Sequence, residues 1–325
     1  MNADFIMITR CVFVFVFVLL AASVVCAQKA DQNKFAVIIN GPGGEAAYAK
    51  QFDEWTKQLS GVLAERFGFD GKNVRVLSEK SATAEQVKQT FATLKSQLDA
   101  NNVLFLFLIG HGSYDGKESK FNLVGPDLSA SEYNVLLTSL PTRRVVVFNM
   151  SSASGEFIKS LAAKGRIVVT ATRNGQETNA TRFAGFFISA LSAADADTDQ
   201  DGHVSVLEAF VYASRLTGDF YKQAGRLATE HALLDDNGDG VGHEKLEAGE
   251  GLLARATYLD SLSVDEAAAS AATVKLLKER TRLEGEIEQL IARKENMSEA
   301  EYEATLERLF IELAKVNRSI KQAGT

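Results

Sequence analysis

Two uninterrupted apolar segments constrain the fold most strongly, because each ends abruptly in small polar residues. The segment Val103–Ile109 stops at Gly-His-Gly-Ser, and residues 145–148 stop at Asn-Met-Ser-Ser-Ala-Ser-Gly. Apolar runs of this length, rich in Val, Ile and Phe, are typical of strands buried on both faces of a parallel sheet. Open α/β sheets place their sites at the carboxyl ends of such strands. We therefore expect His111 and Ser152 to lie side by side at one sheet edge.

The rest of the first 190 residues alternates short apolar runs with amphipathic segments. Further strands are predicted at 35–39, 74–77 and 167–170. Helices are predicted up to about residue 67 and at about 83–98, 129–140, 156–163 and 183–188. Repeated βα units predict an α/β fold of three layers, in which a mostly parallel sheet carries helices on both faces.

The first 27 residues predict a secretory signal peptide. Arg10 precedes an apolar run at 11–25, and Val25, Cys26 and Ala27 supply compact residues before a cleavage site after Ala27. The run is shorter than the roughly 20 residues that span a bilayer, and Val25 is bulkier than a lipoprotein site prefers. A secreted or periplasmic protein is predicted, with a lipoprotein or a signal anchor as the minor alternatives.

Cysteine usage and net charge exclude several kinds of chemistry. The two cysteines, Cys11 and Cys26, both lie in the signal segment, so the mature chain would contain none. Disulfides, thiolate metal ligands and thiol nucleophiles are then excluded. The net charge of −7 and the lack of a dominant basic patch argue against a nucleic-acid partner.

An Asp-rich stretch at 197–208 matches the calcium loop of an EF-hand. Position one is Asp197, followed by Asp199 at three, Asp201 at five, Gly202 at six, His203 at seven, Val204 at eight and Glu208 at twelve. In such loops the glycine permits the sharp turn and the final glutamate closes the coordination sphere bidentately. A solvated acidic turn would explain the aspartates but not Gly202, Val204 and Glu208 together. We therefore predict Ca²⁺ held by Asp197, Asp199, Asp201, His203 and Glu208. A structural role is expected, because Glu208 leads directly into an apolar helix.

A second Asp-rich loop repeats only the front half of this pattern. Asp235, Asn237 and Asp239 stand at positions one, three and five, but position twelve is Leu246 and Glu247 comes one residue late. A second metal site and an Asx-rich turn are equally open interpretations. The spacing of the two loops is near that of a paired EF-hand. Such a pair needs a break in the helix between them, for which the Gly-Asp step at 218–219 is the candidate.

The final segment predicts a helical hairpin over 263–325. Capping boxes at 263–266 and 298–301 each start an amphipathic helix. The apolar seams consist of Leu276, Leu283, Ile287 and Leu290 in the first helix and Tyr302, Leu306, Leu309, Leu313, Val316 and Ile320 in the second. Met297 is placed to pack on Tyr302. The helices either pair within one chain or form a dimerising or partner-binding coiled coil, and their short length favours the first arrangement.

The segments at 106–112 and 145–155 resemble the legumain family of peptidases, in the clan that includes caspases. In that family one strand ends in His-Gly, the next ends in Cys-x-Ser-Gly, and the His and Cys form the catalytic dyad. The resemblance covers about residues 34–192. It implies a caspase- or legumain-like fold, His111 in the dyad, and Ser152 at the position of the nucleophile. The predicted organisation is a signal peptide (1–27), this α/β domain (34–192), a calcium-binding segment (193–262) and the hairpin (263–325).

The serine at position 152 departs from the family pattern. A thiol has a pKa of about 8.5 and a neighbouring imidazole can hold it as thiolate. A serine hydroxyl needs a base, an orienting acid and a matched oxyanion hole, and the dyad supplies no third residue. The replacement should therefore cost several powers of ten in rate.

Three functional interpretations follow from the sequence. The first is a secreted pseudoenzyme that binds or scaffolds a protein or peptide, with His111 and Ser152 in a vestigial cleft. The second is a hydrolase in which Ser152 or Ser151 attacks, His111 is the general base, and the amides of Gly112 and Ser152 hold the oxyanion. The third assigns the function to the calcium loops and the hairpin of an extracellular interaction protein, through which the chain would also oligomerise. Arg173 and Glu177 are expected to form an ion pair at the cleft rim, and substrate recognition is their alternative role.

Overall fold

The computed structural model describes residues 32–200, 202–245 and 251–259, then 275–276, 279–280, 282–283, 286–287, 290, 293 and 297–323. The predicted signal peptide with its two cysteines, Asp201, Leu246, Glu247 and the capping box at 263–266 lie outside the described residues.

In chain order the strands are β1 (Lys34–Asn40), β2 (Val74–Leu77), β3 (Val103–Ile109), β4 (Gly112–Tyr114), β5 (Ser119–Phe121), β6 (Leu128–Ser129), β7 (Arg144–Asn149), β8 (Arg166–Thr170) and β9 (Leu233–Asp235). The helices are α1 (Ala46–Gly61), α2 (Ala84–Gln97), α3 (Ala130–Thr138), α4 (Phe157–Leu161), α5 (Phe183–Ala190), α6 (Val206–Gln223), α7 (Leu252–Arg255) and α8 (Glu299–Ala323).

The main sheet has six strands in the order β2-β1-β3-β7-β8-β9. The first five run parallel, whereas β9 pairs antiparallel with β8. The predicted strands and the mostly parallel sheet are therefore confirmed. The register sets Asn40 opposite Ile109 and Leu108 opposite Asn149, so β1, β3 and β7 end at one edge.

Alternate residues of each central strand enter two separate hydrophobic cores. In β3, Phe105 and Phe107 pack on the face covered by α1, α5 and α6, while Leu104 and Leu106 pack on the face covered by α2, α3 and α4. Strand β3 is buried at all seven positions. This two-sided burial explains its unbroken apolar sequence and confirms the three-layer prediction.

A small antiparallel sheet of β4, β5 and β6 lies between β3 and α3, where the sequence predicted no strand. It begins at Gly112, only three residues after β3 ends. The strands are two or three residues long and partly polar, so they carry no apolar run of the kind that marks a buried strand. This sheet changes the surroundings of the predicted site.

The chain after the α/β region returns to the main sheet as β9, which then leads into the second Asp-rich loop. Between the two loops, α6 continues for 18 residues through Gly218 and Asp219. The break that a paired EF-hand needs is therefore not present in this helix.

The C-terminal helices share a hydrophobic cluster of their own. Leu283, Ile287 and Leu290 pack with Leu309 and Leu313 of α8. Met297 and Tyr302 join the edge of this cluster, as the predicted packing of Met297 requires. The described part of 263–325 thus pairs two helical segments of the same chain, and we refer to it below as the hairpin. Within the described residues, no helix combines the length and the hydropathy needed to cross a membrane.

Candidate functional site

The loops that follow β3 and β7 meet at the carboxyl edge of the sheet, as predicted, and bring Gly112 against Ser152. The side chain of Ser152 is 1% exposed. Its Oγ donates to the carbonyl oxygen of Gly112 at 3.2 Å and accepts from the Gly112 amide at 3.1 Å. The hydroxyl therefore finds both its hydrogen-bond acceptor and its hydrogen-bond donor on Gly112. The Gly112 amide, which the hydrolase interpretation would use to hold the oxyanion, already donates to Ser152.

The imidazole of His111 has other partners. Its Nε2 lies 3.2 Å from the carbonyl oxygen of Gly43. The ring also meets the rings of Tyr48 and Phe52 edge-on, each with a centroid distance of 5.1 Å. Among the hydrogen bonds of the described residues, none joins His111 to Ser152. The two residues share an edge of the sheet, but in this structure each side chain bonds to a backbone group instead of to the other.

Strand β4 lies directly against the loop that carries Ser152. A Cβ atom on Gly112 would stand 2.2 Å from the carbonyl oxygen of Ser152. Farther along β4, the ring of Tyr114 packs on Gly175, where a Cβ would come within 2.3 Å of the ring. Only glycine permits both approaches. Strand β4 therefore packs tightly against the loop that carries the candidate nucleophile.

The loop after β7 is fixed to the loop after β8 by a buried hydrogen-bond network. Ser154 Oγ accepts from the amides of Ala171 and Thr172, and Thr172 Oγ1 accepts from the amides of Ser154 and Gly155. These bonds fix the residues that follow Ser152 to the loop after β8. Ala153, which lies between Ser152 and Ser154, has a φ of 51°, a left-handed conformation that residues other than glycine rarely adopt.

Arg173 and Glu177 form the ion pair that the sequence favoured, with 3.2 Å between Nε and Oε1. Glu177 also lies 2.5 Å from His231 Nδ1 and accepts from the backbone amide of His231 at 3.1 Å. Sequence reasoning missed His231, which stands 54 residues from its partner. The cluster connects the loop after β8 to the chain that enters β9.

Sequence reasoning also missed Glu230, a carboxylate that is 2% exposed and contacts the start of α5. It accepts from the amides of Arg182 and Phe183 and from the hydroxyl of Tyr221. Burial raises the pKa of Glu230, and the hydrogen bonds oppose this rise. All of its partners belong to the fold, so its role is to satisfy the first amides of the helix.

The first Asp-rich loop has the backbone of a cation-binding turn. Asp197, Asp199 and Glu208 each place a carboxylate oxygen within 4.8 Å of the other two. The amide of Gly202 donates to Asp197 Oδ2 at 2.9 Å, and Gly202 has a φ of 93°. His203 follows in the turn at position seven, where such loops offer a backbone carbonyl. The donor set is all oxygen, which fits a hard cation such as Ca²⁺.

Both oxygens of Glu208 accept hydrogen bonds within this loop. Oε1 accepts from the amide and hydroxyl of Thr198, and Oε2 accepts from the amide and hydroxyl of Ser205. Ser205 in turn caps α6, which completes a capping box. Bidentate binding of a cation by Glu208 would replace these bonds with metal–oxygen contacts.

The second loop repeats the first in its leading half. Asp235 accepts from the amides of Gly238 and Gly240, both of which have a positive φ. Asp239 accepts from Asn237 and from the amide of Val241. Burial raises the pKa of Asp235. These are the bonds of an Asx-rich turn, and the residues that would complete a metal site lie beyond the described part of this loop.

Comparisons with known proteins give similarity at the level of structure. No protein-family model and no curated protein sequence matches the chain. A protein from Geobacter sulfurreducens is similar with a TM-score of 0.42 and 16% identity, over 57% of this chain and 89% of that one. Caspase-1 from Spodoptera frugiperda has a TM-score of 0.40 and 13% identity, over 63% and 88%. The Drosophila initiator caspase Dronc has a TM-score of 0.40 and 12% identity, over 65% and 82%. The fold assignment rests on the sheet and its helices themselves.

Proposed function

We propose that this protein is a catalytically inactive relative of the legumain and caspase peptidases that binds calcium and acts by contacting a protein or peptide, outside the cytoplasm. The observation that carries the proposal is the state of Ser152. Its hydroxyl is buried, donates a hydrogen bond to the carbonyl of Gly112 and accepts one from the amide of Gly112. The imidazole of His111 is hydrogen-bonded to the carbonyl of Gly43.

Three features of the geometry support an inactive site. A nucleophile must reach the substrate, a base must contact the nucleophile, and an amide must be free for the oxyanion. Ser152 is 1% exposed, His111 contacts Gly43, and the amide of Gly112 donates to Ser152. The absence of a sulfur nucleophile in the predicted mature chain supports the same conclusion.

We expect the wild-type protein to hydrolyse fluorogenic peptides and esters no faster than its Ser152→Ala variant. A fluorophosphonate probe should label neither protein, because the serine hydroxyl is inaccessible and unactivated. His111→Ala, which removes the general base of the hydrolase interpretation, should give the same background rate. Probe labelling or turnover that disappears in Ser152→Ala would overturn the proposal and establish a serine hydrolase.

Calcium in the first loop would stabilise the contact between this loop and the sheet. Glu208 belongs to α6, whose buried residues pack in the core that lies on one face of the sheet. Asp197, Asp199 and Glu208 would hold the ion, joined by Asp201 and by the carbonyl of His203 as the sequence predicts. The ion would then fix the start of α6 against the α/β region, which is a structural role.

Calcium at about 100 times its dissociation constant should stabilise the protein by about 2.7 kcal/mol. For a domain of this size the thermal midpoint should rise by about 5–10 °C. Asp197→Asn should remove most of the shift, since it neutralises the ligand at position one. Asp219→Asn is the matched control, because Asp219 lies on α6 and pairs with Arg215 instead. A midpoint unaffected by calcium and by chelation would refute the structural role.

A further inference from the structure

An arginine of the hairpin reaches the first Asp-rich loop. The side chain of Arg280 is 5% exposed, and its Nη2 lies 3.6 Å from Oδ2 of Asp199. Its guanidinium also lies over the ring of Tyr258, 5.3 Å from the centroid. A buried charge of this kind needs partners, since an unpaired one is strongly destabilising. Asp199 and Tyr258 supply a carboxylate and an aromatic face.

Tyr258 is itself attached to the loop. The segment around it forms an antiparallel bridge with Ser205, in which the amide of Val206 donates to the carbonyl of Thr257 at 2.9 Å. The ring of His203 meets the ring of Tyr258 edge-on at 6.0 Å. Arg280 therefore sits against a surface formed by the loop and by the strand-like segment that pairs with it.

The guanidinium and a calcium ion would be attracted to the same carboxylates. Three carboxylates within 4.8 Å of one another repel unless a cation is near, and Arg280 contacts one of the three. Calcium would require the Asp199 carboxylate as a ligand at position three and would place two positive charges beside the guanidinium. Binding of the ion and docking of Arg280 therefore oppose each other.

We propose that Arg280 acts as an internal cation that competes with calcium, so that calcium binding loosens the attachment of the hairpin to the loop. This inference rests on the proposed calcium site. By thermodynamic linkage, the factor by which Arg280 weakens calcium binding equals the factor by which calcium weakens docking. The hairpin has an apolar cluster of its own, which includes Leu283, Ile287 and Leu309, so its two segments can stay paired when Arg280 is released.

The smallest size of the effect follows from Coulomb's law. A unit charge roughly 6 Å from a divalent ion changes its affinity by about tenfold at the dielectric constant of water, and a charge as buried as Arg280 is screened less than that. Arg280→Gln should therefore bind calcium at least about tenfold more tightly than the wild type in calorimetric titration. Arg280→Lys keeps the charge and should stay within about twofold of the wild type.

The neighbouring arginine gives a matched control on the same helical segment. Arg282 is half-exposed and pairs with Glu279 and Glu286 of its own helix. Arg282→Gln should therefore leave calcium affinity unchanged. Hydrogen exchange of the peptide that contains Arg280 should increase when calcium is added to the wild type, and much less in Arg280→Gln.

The outcomes separate the two proposals. If the wild type binds calcium, Asp197→Asn does not, and Arg280→Gln binds no more tightly than the wild type, the competition is refuted and the calcium site stands. If neither the wild type nor Arg280→Gln binds calcium, the calcium site is refuted and the competition with it. Equal gains in Arg280→Gln and Arg282→Gln would indicate a general charge effect and would also refute the specific role of Arg280.

Discussion

Replacing Gly112 with alanine is expected to destabilise the protein by about 3 kcal/mol and to lower its thermal midpoint by about 6–12 °C. The new Cβ would stand 2.2 Å from the carbonyl oxygen of Ser152 and 3.0 Å from that of Lys120. Both are backbone atoms, so no side-chain rotation relieves the clash. Strand β4 would have to move away from the loop after β7, which would also break the bonds between Gly112 and Ser152.

A glycine in open surroundings provides the matched control for this substitution. Gly218 lies within α6, and a Cβ there meets no atom within 4 Å. Gly218→Ala should therefore stabilise the protein by about 0.5–1 kcal/mol, since alanine has the higher helix propensity. Thermal or denaturant unfolding of both variants measures the contrast. A Gly112→Ala protein as stable as the wild type would show that β4 does not press on the Ser152 loop.

The central strands of the main sheet were predictable from sequence because they are buried on both faces. Strands β1, β3, β7 and β8 each contain a continuous apolar run, and β3 places alternate residues in two different cores. Strand β2 lies at the sheet edge, where Arg75 interrupts the apolar pattern and Val76 is 41% exposed. The strands that the sequence missed have no such signal. Strand β9 has three residues and ends in an Asp-rich loop, and β4 to β6 are short and partly polar.

The position of the candidate site was predictable, but the partners of its side chains were not. Parallel strands that are neighbours in a sheet end at one edge, which is why Gly112 and Ser152 meet. The direction of His111 depends on α1, whose Tyr48 and Phe52 hold the ring, and on the Gly43 carbonyl. These contacts join residues more than 50 positions apart, where periodicity and motif spacing carry no information.

In the first Asp-rich loop, by contrast, the arrangement of the side chains was predictable from the sequence. The spacing of Asp197, Asp199 and Glu208 within one short loop was enough to predict that their carboxylates converge. A local motif specifies local geometry, because the turn at Gly202 determines where the flanking side chains lie. The involvement of Arg280 depends on how the hairpin docks, and no feature of the loop sequence indicates it.

The closed state of the site makes a second strong prediction, which concerns the missing nucleophile. If only the sulfur were lacking, Ser152→Cys would raise peptidase activity by several powers of ten. We expect no such gain, because a thiol at position 152 would occupy the space between the amide and the carbonyl of Gly112. The imidazole of His111 would still contact Gly43, and position 152, where the serine is 1% exposed, would still be buried.

The reactivity of the introduced thiol provides an internal check on this prediction. Alkylation of the Ser152→Cys variant by iodoacetamide, followed by mass spectrometry of the peptide that contains position 152, should be slow in the folded protein and fast after denaturation. The 1% exposure of Ser152 is the reason for this contrast. Rapid alkylation of the folded variant would mean that the loop opens, which would contradict the closed state of the site.

The most direct test of the closed site is peptide hydrolysis by the Ser152→Cys variant, measured beside the wild type and the double variant Ser152→Cys/His111→Ala. The proposed function predicts that all three give the same background rate. A rate that rises by several powers of ten in Ser152→Cys and falls again when His111 is removed would contradict it. That result would show a working peptidase site that lacks only its sulfur.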